Sequence, residues 1–173
     1  MARFADVVNK DLNGLLGNFV SRVCKLSNKN FGDVVPDGNG IDKDLELKIN
    51  EKLNDLTSAL EKCEFRNAVF ALRSLWAIAN EYMTAKEPWA LVKNGDMNGA
   101  AASLNECFQM IDLFARVSAP FIPDAAEKMQ NVFEIKHDLS WPTKYEHRIA
   151  NGEKFVVPEN LFNRIELVEK TNE

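Results

Sequence analysis

Apolar residues recur at helical spacing along the first 128 residues. Ile41, Leu45, Ile49, Leu53, Leu56 and Leu60 follow one another at intervals of 4, 4, 4, 3 and 4. Phe65, Val69, Leu72, Trp76, Ala79 and Met83 follow at 4, 3, 4, 3 and 4. Such spacing gathers apolar side chains into one stripe and leaves a polar face opposite. Lys62 to Glu64 is too short for anything but a tight turn, so these two helices should lie antiparallel. Leu12, Leu15, Leu16, Phe19, Val20, Val23 and Leu26 predict an earlier helix ending near Asn30. The turn-rich run FGDVVPDGNG follows it. Leu104, Phe108, Ile111, Phe114 and Val117 predict a further helix, capped by Asn98 or Ser103. Pro120 and Pro123 end that helix, and Pro123 with Asp124 can open another.

The texture changes after Phe133. Residues 134–160 contain Trp141-Pro142, Gly152 and Pro158 and show no helical period. They predict an irregular tail laid over the bundle. Leu161, Phe162 and Ile165 are spaced to dock on it. Strand signals are weak, and FVV at 155–157 is the one short candidate. The expected architecture is an all-α bundle over 1–133 with a wrapping tail over 134–173.

The chain has 173 residues, enough for one ordinary domain, and is 46% apolar and 27% charged, as soluble folded proteins are. Its net charge of −5 excludes holding nucleic acid by bulk positive charge. The charge is uneven, however. Residues 1–35 carry five basic and three acidic groups, the only locally basic segment. Cys24, Cys63 and Cys107 stand far apart, which predicts isolated buried thiols rather than disulfides or a zinc knuckle. The first residues lack the apolar stretch of a signal peptide, and no long window is free of charge. A cytoplasmic protein without a membrane span is expected.

Catalytic constellations are sparse. The two histidines, His137 and His147, both sit in the irregular tail without a metal-ligand neighbour. A Ser-His or Cys-His pair would have to recruit that tail. Gly38-Asn39-Gly40 is too short to cradle phosphate. Acid pairs such as Asp42/Glu46 and Glu61/Glu64 read as solvated helix faces. No catalytic residue, metal site or cofactor is expected in this chain.

Two features suit recognition of an exposed base. Asn18 and Arg22 are one helical turn apart on one face. The amide offers a donor and an acceptor, the guanidinium a planar donor fork, and together they can satisfy a Watson–Crick edge. The same spacing also describes an ordinary surface pair. Pro88-Trp89 follows a helix whose last turn holds Asn80, Tyr82 and Met83. Proline stiffens the corner and can hold the indole as a stacking platform. The other reading is a tryptophan buried between helices, which applies with more force to Trp76.

These residues carry a resemblance. VVNKDLNGLLGNFVSRV at 7–23, ANEYMTAKEPWALVK at 79–93 and PENLFNRIE at 158–166 are similar to stretches of the anticodon-binding domain of methionyl-tRNA synthetases. The Leu-Gly-Asn-x-x-x-Arg segment and the Pro-Trp corner together are fairly specific. The domain is shared in outline by the leucyl, isoleucyl, valyl and cysteinyl enzymes, and the Pro-Trp corner favours methionyl. The resemblance implies an α-helix bundle that reads the CAU anticodon of the methionine tRNA. It implies that the wobble cytosine stacks on Trp89, stiffened by Pro88, with edge contacts from Asn18 and Arg22. Asn80 stands near the same family site. Thr84 stands where some members carry an acid, so no carboxylate role transfers. The His-Ile-Gly-His and Lys-Met-Ser-Lys-Ser signatures and the zinc knuckle of the family's catalytic half are absent from this sequence. ATP, methionine and zinc would belong to that half. The chain is therefore expected to be a fragment of a larger ligase, with the tRNA anticodon loop and the catalytic domain as partners, and neither DNA nor membrane. Some apolar surface that the catalytic half would cover is expected to be exposed. A helical scaffold that has lost tRNA, or the anticodon domain of another class I synthetase, are the competing expectations.

Overall fold

A computed structural model describes residues 8–163 and Ile165; the N-terminal run before Val8, Arg164 and the last eight residues of the tail lie outside it. A π-helical stretch, Val8–Gly17, runs directly into α1, Asn18–Phe31. Gly32 ends α1 with φ 81, a backbone that favours glycine. Helix α2 spans Lys43–Glu61 and starts at Asp42, whose carboxylate accepts from the Leu45 amide. Helix α3 spans Phe65–Lys86, and the turn between them places Cys63 at φ 57. A short α4, Pro88–Lys93, leads to α5, Met97–Ser118, and α6, Pro123–Gln130.

Helices α2 and α3 pack closely along their stripes. Leu45, Ile49, Leu53 and Leu56 are buried on one side, and Leu72, Trp76, Ala79 and Met83 on the other. The α3 stripe fails at its start, where Phe65 is 64% exposed and Val69 44%. Further along, α3 runs parallel to the π-helical stretch, with Arg73 bonded to Asp11 and Asn80 to Leu15.

Helix α5 departs most from expectation. Its cap is Asp96, whose side chain accepts from Gly99, while Asn98 and Ser103 lie inside the helix. Gly95 at φ 83 turns the chain so that the aspartate meets the free amides. The spacing of Leu104 to Val117 predicts one apolar face, yet every residue from Ser103 to Ser118 is buried. The polar face is sheathed by the tail. The Gln109 amide accepts from the backbone N–H of Arg148 and Ile149, at 2.8 and 2.9 Å, and donates to the Ile149 carbonyl at 2.8 Å. Asn105 donates to the Pro36 carbonyl and to Asn151. The Glu106 carboxylate accepts from the Tyr145 hydroxyl at 2.6 Å and lies 3.0 Å from His147 Nε2. Arg116, 2% exposed, lies 3.0 Å from Asp112 and 3.8 Å from Glu146. Burial pushes the Asp112 carboxyl up even though the Arg116 and Arg148 guanidinium groups pull it down.

The tail also crosses α2. Trp141 Nε1 donates to Thr57, and the Tyr145 amide donates to Asn50. His137 sits 2.8 Å from Glu153. Both histidines are thus side-chain ties between tail and body or within the tail. FVV at 155–157 makes isolated contacts rather than a strand: Phe155 bridges Phe133, and Val156 donates to the Val132 carbonyl. Leu161 is buried, Phe162 packs against the core, and Ile165 exchanges two hydrogen bonds with the Asn9 amide.

Cysteines also divide. Cys24 and Cys107 are buried, and burial pushes the Cys24 thiol up to about 12. Cys63 is exposed, against expectation, because it occupies the α2–α3 turn rather than a stripe.

Gln109 is the most economical test of the sheath. Gln109→Ala strands two tail amides and a carbonyl beside a buried helix. Unsatisfied buried groups cost about 1–3 kcal/mol each, and a loss of about 3 kcal/mol in urea-unfolding stability is expected.

Candidate nucleic-acid interface

The candidate residues lie on α1 and at the α3–α4 corner. On α1, Phe19, Val20, Val23, Cys24 and Ser27 face the core. Asn18, Arg22, Lys25 and Lys29 occupy the opposite side, spaced by four, three and four. Asn18 is exposed and Arg22 half-buried.

The corner is built by three consecutive residues. Helix α3 ends at Glu87, whose φ of 44 and ψ of 55 are left-handed and whose amide bonds the Met83 carbonyl. Pro88 then opens α4 at its first turn, where a missing N–H costs nothing, and is itself buried. The Glu87 carbonyl accepts from Ala90 and Leu91, closing the turn. This fixes the direction of Trp89, which remains 36% exposed while Trp76 is 4% exposed.

Arg22 meets this indole across the gap. Its guanidinium carbon lies 5.0 Å from the ring centroid, within cation–π range. Beside the pair opens a shallow groove of about 420 Å³ lined by Arg22, Lys25, Leu26, Lys29, Met83 and Trp89. Leu26, Met83 and the indole make its walls apolar, and three cations edge it. Lys86 stands nearby but is engaged elsewhere, 2.9 Å from Asp42, whose carboxyl it holds below the usual range, and over the Tyr82 ring.

The remaining candidates are placed differently. Asn18 lines a separate depression of about 190 Å³ with Asn13, Gly17, Ser21, Asn160 and Leu161. The tail thus reaches the α1 surface, which sequence spacing gives no means of seeing. Asn80 is half-buried and donates to the carbonyls of Leu15 and Trp76, at 3.2 and 2.9 Å. Its amide hydrogens therefore anchor the stretch that leads into Asn18. Thr84 is exposed. Lys25 and Lys29 join the site without having been singled out by motif, although their helical register with Arg22 is visible in the sequence.

Among the described residues, no three His, Cys, Asp or Glu side chains converge as a metal site requires, and no helix is long and apolar enough to cross a membrane. The arrangement offers an aromatic surface, a donor fork and free cations, which suit a base and a phosphate backbone.

Residues 35–172 match the family described as the anticodon binding domain of methionyl tRNA ligase. The chain is 37% identical over 171 residues to methionine--tRNA ligase of Caulobacter vibrioides, covering 95% of this chain and 30% of that protein. It is 38% identical to the ligase of Streptomyces avermitilis, covering 94% and 29%. The chain thus spans under a third of the curated relatives it matches. The apo methionyl-tRNA synthetase of Mycobacterium tuberculosis superposes with a TM-score of 0.78 at 20% identity, over 96% of this chain and 35% of that one, and so shares the fold.

Asn80→Ala leaves the Leu15 carbonyl without its side-chain donor. A loss of about 1 kcal/mol in unfolding free energy is expected, and denaturant titration of the variant measures it.

Proposed function

Because the chain belongs to the family of anticodon-binding domains of methionyl-tRNA ligase, we propose that it reads the CAU anticodon of the methionine tRNA. The observation that carries this reading is the Arg22–Trp89 pair, 5.0 Å apart at the edge of an open groove. The wobble cytosine stacks on Trp89, whose direction Pro88 and the left-handed Glu87 fix in advance. A prefixed ring loses little freedom on binding, so more of the stacking energy appears as affinity. Arg22, held beside the ring, presents its donor fork to the base edge, and Asn18 adds a donor and an acceptor one turn away. Asn80 contributes by position, holding the backbone just before Asn18.

The larger enzyme supplies what this chain lacks. ATP, methionine and zinc are handled by a catalytic half elsewhere in the full-length ligase, acting in the cytoplasm. Phe65 and Val69, one turn apart at the start of α3, are exposed apolar residues, at 64% and 44%. They are the surface we assign to contact with that half. The scaffold alternative would be favoured by a buried Trp89 with Asn18 and Arg22 facing elsewhere; Asn18 does line a separate depression, but the partly exposed Trp89 with Arg22 against it supports RNA.

Fluorescence anisotropy with a CAU anticodon stem-loop, against one with a changed wobble base, tests the reading. The chain should prefer CAU. Trp89→Ala should lose roughly 5- to 150-fold in affinity, the range that about 1–3 kcal/mol of stacking implies. Equal binding of the two loops, or undiminished binding by the variant, would count against it.

A further inference from the structure

Helix α1 segregates charge in an acidic protein. Its charged residues are Arg22, Lys25 and Lys29, with no Asp or Glu from Asn18 to Phe31, in a chain of net charge −5. The three cations form a single stripe about 10 Å long, given a rise of about 1.5 Å per residue. All three line the groove that Trp89 closes. Lys25 and Lys29 are exposed. Among the described residues, neither stands within ion-pair distance of a carboxylate.

Lysines on a protein surface usually alternate with acids or cover apolar area with their stems. Lys29 has one local role, since a cation in the last turn of a helix meets the negative end of its dipole. Lys25 lies a turn earlier, where that effect has faded. The dipole therefore does not explain the stripe. A strand that places a base on Trp89 must carry its phosphates along one side of the groove, and α1 supplies that side.

We propose that Lys25 and Lys29 bind phosphates of the same anticodon loop whose base stacks on Trp89, an inference that rests on the RNA reading above. A phosphate is the same under every base, so these lysines supply affinity and register but no sequence preference. The work is thereby divided along one helix: Asn18 and Arg22 specify, and the next two turns hold the backbone. In a chain of net charge −5, this stripe is a place where counterion release can still contribute.

The test is the salt dependence of binding by the 173-residue chain and by its Lys25→Gln/Lys29→Gln variant. Each is titrated with the CAU stem-loop and with the wobble-changed loop from low to moderate salt. The variant should bind both loops more weakly by the same factor. Its plot of log affinity against log salt should flatten by about 1.4, the change expected when two phosphates of a single strand are no longer neutralised. Circular dichroism and thermal melting, expected to match the parent because both side chains are exposed, separate this from misfolding. An unchanged slope with the CAU preference intact overturns the phosphate role and leaves base reading standing. An unchanged slope with the CAU preference lost would make the lysines base readers and also overturns it. Absence of any CAU preference in the parent instead overturns the reading beneath it.

Discussion

The hydrogen bonds between α5 and the backbone of the tail are the constraint on which the rest depends. Asn105, Glu106, Gln109, Asp112 and Arg116 lie in the middle of the molecule, nearly inaccessible to water. A helix bearing five such residues cannot enter a core unless each finds a partner, because unpaired buried polar groups are costly. Residues 145–151 supply most of those partners. With Asn105, Glu106 and Gln109 hydrogen-bonded and Asp112 ion-paired to Arg116, α5 becomes a central rod against which α1, α3, α4 and α6 pack. Phe114 meets Phe19 of α1 edge to face, with ring centroids 5.9 Å apart. The positions of α1 and α4, and so of Arg22 and Trp89, follow from that rod.

This ordering explains which parts of the fold were legible in the sequence. Helices α2 and α3 announce themselves because each buries a single stripe, and periodicity reports stripes. The tight turn at Lys62–Glu64 and the Pro123 helix start were readable for equally local reasons. Helix α5 was legible as a helix but not as a buried one. Its Asn, Glu, Gln, Asp and Arg residues look like a solvated face until the tail is placed over them. No local rule places a segment with no period of its own. The cap at Asp96 was missed because Asn98 and Ser103 are also good capping types, and only the turn at Gly95 chooses among the three. Phe65 and Val69 continue a stripe in the sequence yet stay largely exposed, and periodicity alone does not show where a stripe stops being covered.

The candidate site shows the same division. Asn18 and Arg22 were visible through helical spacing, and Trp89 through the proline before it. The left-handed Glu87 that aims the corner has no signature of its own, since glutamate is not a residue that favours φ above zero. The contact of Arg22 with Trp89 joins residues 67 positions apart in the chain. It exists because α5 holds α1 and α4 together. Asn80 illustrates how a residue near a site in sequence can serve it indirectly: its amide hydrogens are spent on backbone carbonyls. The acidity of the chain excludes bulk electrostatic binding, and Arg22, Lys25 and Lys29 on α1 form a small local exception to it.

The most direct test of this account is native-state amide hydrogen exchange at Arg148 and Ile149, the tail residues bonded to Gln109. If the tail is a structural partner of the buried helix, these amides should exchange only through global unfolding, with the same opening free energy and denaturant dependence as the amides in the middle of α5. Exchange through a low-energy local opening, while α5 stays protected, would contradict it: the tail would then be a loose covering, and the buried polar face of α5 would owe its place in the core to something else.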